Sequence, residues 1–248
     1  MFYCCGITEQ GKPAHNEDAL LIHRNVLTSG VWEQKISSPF IAAVSDGVSG
    51  ERSGEVASAM CLGLVSEINY NSRMNLRQRL MEIHRNLAEY SNQDPENHNM
   101  QATLCGIAAN SRNNIISFNV GDSRLYRFCR GRAEQLSRDQ SLVQMLYDEG
   151  SITLEQKRTH VHRNVIFPVF GNVSTPPQID ITPVEGGMDY GDVLFLCTDG
   201  LSDYVTPLDM EEIMELPKSL PERLRLLVDK ALEAGSKDNI TAIAISVI

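Results

Sequence analysis

The sequence predicts a layered α+β fold in which helices cover antiparallel sheets. A chain of 248 residues is long enough to bury a sizeable core. Its apolar runs rich in β-branched residues come in groups, with two helical patterns after the third run and two before the last. This order differs from the strict alternation of strands and helices that builds a doubly wound parallel sheet, and it favours the α+β class.

Nine apolar runs carry the strand signal. The predicted strands are residues 2–8, 19–27, 40–44, 103–109, 115–120, 125–128, 179–184, 193–197 and 240–248. Apolar side chains recur about every four residues in 56–68 and in 76–87, as expected for the buried face of a helix. Further helices are predicted at 140–149, 207–215 and 220–234, with Pro207 and Pro221 near the helix starts.

The composition limits the partners and the location of the protein. A formal net charge of -10 opposes binding to nucleic acid and to anionic membranes. No apolar run approaches the ~20 residues that cross a bilayer, and residues 1–10 lack the basic and apolar regions of a secretory signal. The six cysteines include no C-x-x-C pair, so we expect reduced thiols in a cytoplasmic protein.

A short acidic pattern occurs twice. Residues 44–49 read VSDGVS and residues 197–202 read CTDGLS, and each copy follows a short apolar strand. A single Asp-Gly pair is typical of an ordinary turn. Two copies at the ends of buried strands predict that Asp46 and Asp199 lie at the same edge of the core, where a cation would offset their like charges.

Three more aspartates fit that edge. Asp18 and Asp238 directly precede predicted strands, and Asp122 follows one. Oxygen ligands without nearby His or Cys select magnesium, manganese or calcium over zinc, and Gly47 offers a backbone carbonyl that no side chain obstructs. Two such cations suit phosphoester hydrolysis, because they activate a water molecule and neutralise charge on the phosphoryl oxygens.

Five motifs together resemble the metal-dependent protein phosphatase family, called PPM or type 2C, in its compact bacterial branch. They occur in the family's order at residues 16–18 (NED), 45–50 (SDGVSG), 119–124 (NVGDSR), 197–201 (CTDGL) and 236–241 (SKDNIT). The resemblance implies one domain over residues 1–248, folded as a four-layer α-β-β-α sandwich. It also implies hydrolysis of phosphoserine and phosphothreonine on proteins by a metal-activated water, with two Mn²⁺ or Mg²⁺ ions and a third.

The resemblance assigns roles to individual residues. Asp46 would bridge two ions, Asp122 would serve the third, and a flap would span about residues 139–172. The implied catalytic residues are Asp18, Asp46, Asp199 and Asp238. The implied metal ligands are Glu17, Asp18, Asp46, Gly47, Asp122, Asp199 and Asp238.

Departures from the family's pattern concern the contact with the substrate phosphate. The position of the family's phosphate-gripping arginine is Pro13, which leaves Lys12 as the nearest cation. In the basic stretch 157–163 of the flap, Arg158 and Arg163 would attract anions. Lys12, Arg158 and Arg163 are therefore the candidate substrate-binding residues, and the alternative for each is a solvated surface side chain.

The expected partners are phosphorylated proteins, including a serine/threonine kinase or its targets, and we expect a monomer. Two other functions stay open. A family member that has lost turnover would serve as a phosphoprotein-binding or regulatory module, and the missing arginine favours this alternative. A hydrolase of small phosphoesters would need the same metal ligands.

Overall fold

The computed structural model describes residues 1–48, 53–93 and 95–248. The strands in these ranges are β1 Phe2–Glu9, β2 Asp18–Ile22, β3 Asn25–Leu27, β4 Gly30–Ile36, β5 Phe40–Asp46, β6 Leu104–Ala109, β7 Ile115–Val120, β8 Arg124–Cys129, β9 Arg132–Gln135, β10 Asp180–Pro183, β11 Val193–Cys197 and β12 Ile240–Val247. The α-helices are α1 Gly54–Ser66, α2 Leu76–Gln93, α3 Leu142–Asp148, α4 Leu154–Thr159, α5 Asp199–Ser202, α6 Pro207–Met214 and α7 Leu220–Glu233.

The strands form two six-stranded antiparallel sheets. The first sheet has the order β4-β1-β12-β11-β8-β9, and the second has the order β10-β7-β6-β5-β2-β3. Strand β1 from the start of the chain pairs with β12 from its end, with Phe2 opposite Val247. The predicted four-layer α-β-β-α sandwich is confirmed, because helices flank both sheets.

The alternation of side chains in β2 shows how the layers are held together. Leu20 and Ile22 enter the core between the two sheets. Ala19 and Leu21 point to the other side, into the core that α1 and α2 share with the second sheet. On the outer side of the first sheet, α6 and α7 pack against β1, β11 and β12. Burial of all five residues of β2 fixes the register of the strand at which the acidic edge begins.

Some elements differ from the prediction. The run 19–27 is a hairpin of β2 and β3, and His23 in its turn adopts a left-handed φ of 59°. The polar strands β4 and β9 and the short helices α4 and α5 were not predicted. Ser49 and Gly50 of the motif 45–50 lie outside the described residues. Among the helices in the described ranges, none has the length and apolar character needed to cross a bilayer.

Candidate metal centre

The acidic residues come together because four strand ends meet at one edge of the sandwich. In the second sheet, β2 begins at Asp18 directly opposite Asp46, the last residue of β5. In the first sheet, β11 and β12 are antiparallel neighbours, so Asp199 after β11 lies at the same end as Asp238 before β12. The two pairs face each other across the sheets, since the charges of Asp199 and Asp238 both act on Asp46, so Asp46 and Asp199 lie at one edge.

Electrostatics show that these carboxylates interact. Burial raises the pKa of Asp46 well above its ordinary value, and the charges of Asp18, Asp199, Asp238 and Asp122 raise it further. Burial also raises the pKa of Asp18 to about 8 and that of Asp199 to about 7. Five aspartates thus share one electrostatic environment, in which a full set of negative charges is unstable without a cation.

The residues fit a bound divalent cation. The charge of Asp199 acts on Asp46, so the two carboxylates repel each other unless a cation or a shared proton lies between them. The Oδ1 atom of Asp199 is buried and has no hydrogen-bond partner among the described residues. Among the described residues, no three His, Cys, Asp or Glu side chains are arranged so that they could hold a metal ion as they stand. The fit of this edge to a cation therefore rests on its shared negative charge and on the unpartnered Asp199 oxygen.

Gly47 and Glu17 are held together at the other side of Asp46. The Gly47 N–H donates to the Glu17 carbonyl at 3.0 Å. A Cβ atom on Gly47 would lie 2.3 Å from the Gly54 carbonyl oxygen, so only glycine allows this close approach to the start of α1. A Cβ atom on Gly54 would in turn lie 2.9 Å from the Glu17 carboxyl carbon, which places that side chain beside Gly47.

Hydroxyl groups hold the carboxylate of Asp18 and the backbone of Asp46. The Thr198 hydroxyl donates to Asp18 Oδ2 at 2.8 Å, and both groups are buried. The Thr103 hydroxyl accepts from the Asp46 N–H at 3.0 Å and lies 2.8 Å from the Ser123 hydroxyl. Since Ser123 follows Asp122, the Thr103–Ser123 pair links the end of β5 to the turn that carries Asp122.

The flap encloses a cavity next to Asp122. This cavity has a volume of about 280 Å³, and Arg158 and Arg163 line it together with Asp122. Arg163 Nε lies 3.8 Å from Asp203, which also lines the cavity. The structure thus brings two of the predicted substrate-binding residues to the edge of the acidic cluster.

Lys12 lies in an exposed turn beside Asp238. The Asn239 side chain donates to the carbonyls of Gln10 and His15, at 2.8 and 2.9 Å, and so holds this turn beside Asp238. The Lys12 side chain is exposed. The structure therefore brings the turn of Lys12 to the acidic edge, while the Lys12 side chain points into solvent.

Two aspartates near the site were not predicted as site residues. Asp139 accepts two bonds from the Arg124 guanidinium, at 2.9 and 2.8 Å, and a third from Lys157 at 3.1 Å. Asp203 raises the pKa of Asp199. Asp203 stands four residues after Asp199, one helical turn, and this spacing was a signal in the sequence. Asp139 offered no comparable local pattern.

Comparisons with known proteins agree with the geometry. The protein phosphatase 2C family profile matches residues 8–234. The serine/threonine phosphatase stp of Listeria welshimeri is 31% identical over 232 residues, which cover 90% of this chain and 90% of that protein. The crystal structure of Stp1 from Staphylococcus aureus, a serine/threonine phosphatase, has a TM-score of 0.83 and 27% identity, and covers 100% of this chain and 96% of that one. The PstP catalytic domain in complex with two manganese ions has a TM-score of 0.79, 24% identity and 100% coverage of both chains.

Proposed function

Because the chain belongs to the protein phosphatase 2C family and is a metal-dependent protein serine/threonine phosphatase, we propose that the acidic edge around Asp46 is its catalytic centre. The observation that carries this proposal is the shared environment of five aspartates at the ends of β2, β5, β7, β11 and β12. Phosphoserine and phosphothreonine side chains of other proteins are the substrates.

The proposed metal ligands are the carboxylates of this edge together with the Gly47 carbonyl. When bound, divalent cations activate a water molecule as the nucleophile and neutralise charge on the phosphoryl oxygens. The chain's own contribution is orientation, since Thr198 fixes Asp18 and Thr103 fixes the backbone of Asp46. The ligands are Glu17, Asp18, Asp46, Gly47, Asp122, Asp199 and Asp238.

Two ions are proposed at the core of the edge, and Asp46 would be a ligand of both. Oxygen ligands favour manganese or magnesium, and the manganese complex of PstP supports the number two for a protein of this fold. A third ion is proposed at Asp122, whose electrostatic neighbours include Asp199, Asp139 and Asp203. Asp122 also lines the flap cavity, so an ion there would be open to solvent.

The proposal of an active enzyme is preferred to that of a binding module. A module without turnover has no need for several mutually repelling carboxylates at one edge, and the fold retains all five aspartates there. A small-phosphoester hydrolase would share the metal centre. Arg158 and Arg163 at the cavity edge support a larger, protein-borne phosphate as the substrate.

A phosphopeptide assay tests the function. With manganese present, we expect phosphate release from phosphothreonine and phosphoserine peptides at a kcat/KM well above that for p-nitrophenyl phosphate. Release from p-nitrophenyl phosphate alone would indicate a small-molecule hydrolase. Binding of the phosphopeptide without release would support the module instead.

Lys12→Ala tests the proposed contact of Lys12 with the substrate phosphate. Its turn lies beside Asp238, and Pro13 stiffens the backbone next to it. A lysine supplies one charge without the bidentate fork of an arginine. Loss of one charge-assisted contact worth ~1.5 kcal/mol should raise KM for phosphopeptides about tenfold, with little change in kcat.

Lys35→Ala is the matched control for Lys12→Ala. Lys35 is exposed on β4 opposite Tyr3, at the end of β1 far from the acidic edge. Steady-state kinetics at saturating manganese should show an unchanged KM for this control. An unchanged KM for Lys12→Ala as well would remove Lys12 from the phosphate site and leave Arg158 and Arg163 as its cations.

The remaining proposals concern the cellular setting. A serine/threonine kinase or its targets are the proposed source of the phosphoproteins, and the protein is proposed to act as a monomer formed by one domain over residues 1–248. All six cysteines lie in the described ranges and are free. Free thiols support the proposed cytoplasmic location.

A further inference from the structure

Both ends of the flap are hydrogen-bonded to segments that carry proposed metal ligands. At its start, the Gln140 N–H donates to the Gly121 carbonyl at 2.9 Å, and the Gln140 side-chain oxygen accepts from the Gly121 N–H at 2.9 Å. Gly121 directly precedes Asp122. The position of the flap is therefore tied to the position of this ligand.

At its end, the flap joins the segment beside Gly47. Phe170 and Ala102 exchange two backbone hydrogen bonds, each 3.1 Å long. On its other side, Ala102 is the antiparallel partner of Gly47. Ala102 therefore lies between the end of the flap and Gly47, a proposed metal ligand, and pairs with both.

His84 on α2 holds this end of the flap from behind. Its Nδ1 atom accepts a hydrogen bond from the Gly171 N–H at 3.3 Å, and its ring packs edge-on against Phe170 with centroids 6.2 Å apart. Gly171 adopts a left-handed φ of 85°, and a Cβ atom there would lie 2.3 Å from the Met100 carbonyl oxygen. The chain therefore needs glycine at this bend, and the buried N–H of that glycine takes His84 as its acceptor.

The ionisation state of His84 suits this role. Burial lowers the pKa of His84, and the charge of Arg85 on the same helix lowers it further. The imidazole is therefore neutral near pH 7. Because Nδ1 accepts a hydrogen bond, the ring proton lies on Nε2.

We propose that His84 is a positioning residue for the phosphatase reaction, which holds the Phe170–Gly171 bend against Ala102 and thereby supports the backbone of Gly47 at the metal centre. The effect is indirect, since His84 contacts the flap and not the substrate. Without its acceptor, the bend would open more often, and Ala102 would lose its flap-side partner. The inference rests on the proposed metal site. Hydrogen exchange at the Gly171 amide, which is its first test, can be measured without reference to that site.

Three substitutions separate a positioning role from simple packing. His84→Asn keeps an oxygen near the position of Nδ1, His84→Leu keeps bulk without an acceptor, and His84→Gln moves the acceptor further along the side chain. We expect hydrogen exchange at the Gly171 amide to be about tenfold faster in the Leu and Gln variants than in the wild type, the factor for one lost buried acceptor. The manganese concentration for half-maximal activity should rise in parallel, and the Asn variant should restore both.

Leu76→Ala is the matched control, because Leu76 is buried at the first residue of the same helix, two turns before His84. It should lower the unfolding temperature without changing exchange at Gly171 or the manganese response. Wild-type exchange and manganese dependence in both the Leu and Gln variants would overturn the proposal. A wild-type protein without any manganese response would instead contradict the metal centre, and the exchange result would still decide whether His84 holds the bend.

Discussion

Replacing Asp46 by alanine is expected to lower turnover about a thousandfold or more, equivalent to ~4 kcal/mol of barrier, while the protein stays folded. Asp46 ends β5 opposite Asp18, and the charges of four other aspartates act on it, so we propose it as the central ligand of the edge. Removal of one charge from a crowded acidic edge relieves repulsion in the metal-free protein. Without bound metal, the stability of the variant should therefore not fall below that of the metal-free wild type.

The measurement is kcat on a phosphothreonine peptide at saturating manganese, with circular dichroism to check the fold. Asp229→Ala is the control, because Asp229 is a half-exposed residue of α7 that pairs with Arg225 and is not among the proposed metal ligands. Surface substitutions of this kind change stability by about 0.5 kcal/mol or less. Near-normal turnover in Asp46→Ala, with Asp229→Ala as the reference, would show that the catalytic centre lies elsewhere.

Removal of divalent cations is expected to abolish activity and to lower the unfolding temperature. The cations bind the folded acidic edge and not the dispersed carboxylates of the unfolded chain, so binding stabilises the fold. At a manganese concentration of about 100 times Kd, the gain is ~2.7 kcal/mol. For a chain of this size we expect the unfolding temperature to rise by about 5–10 °C.

Thermal unfolding with excess EDTA and then with added manganese measures this shift. Asp46→Ala should show a much smaller rise, since it lacks the central ligand. Calcium and magnesium provide a comparison between hard cations of different size. Full activity after exhaustive dialysis against EDTA would be incompatible with the proposed chemistry.

Much of the fold was predictable because most residues of its buried strands are apolar. All five residues of β2 and all five of β11 are buried, and both runs were predicted as strands. Strand β4 was missed because it lies at the edge of the first sheet, where Val31, Trp32 and Glu33 are exposed. An edge strand with one partner carries too few buried side chains to show an apolar pattern.

One strand boundary in the second sheet was missed for a different reason. The run 19–27 was predicted as one strand, but the chain reverses at His23 in a left-handed conformation. Neither glycine nor proline marks this turn, and asparagine appears only after it, at Asn25. The turn is stabilised from outside its own sequence, since the His23 N–H donates to the Ile41 carbonyl on β5.

Some residues of the candidate site were predictable from local sequence patterns, and others were not. The Asp-Gly repeat and the aspartates next to strands were visible locally, and antiparallel pairing brings them together. The contact of His84 with Gly171 joins residues 87 positions apart and has no local pattern. Asp139 was missed for the same reason, because its partners Arg124 and Lys157 come from β8 and α4.

The position of bound manganese tests the central claim most directly. Crystals grown with manganese, measured at its absorption edge, locate the ions by anomalous scattering without reference to activity. The account predicts two strong peaks within bonding distance of the carboxylates of Asp46, Asp199 and Asp238 and of the Gly47 carbonyl, and a weaker third peak at Asp122. Strong peaks elsewhere on the protein, with none at the edge formed by β2, β5, β11 and β12, would contradict it.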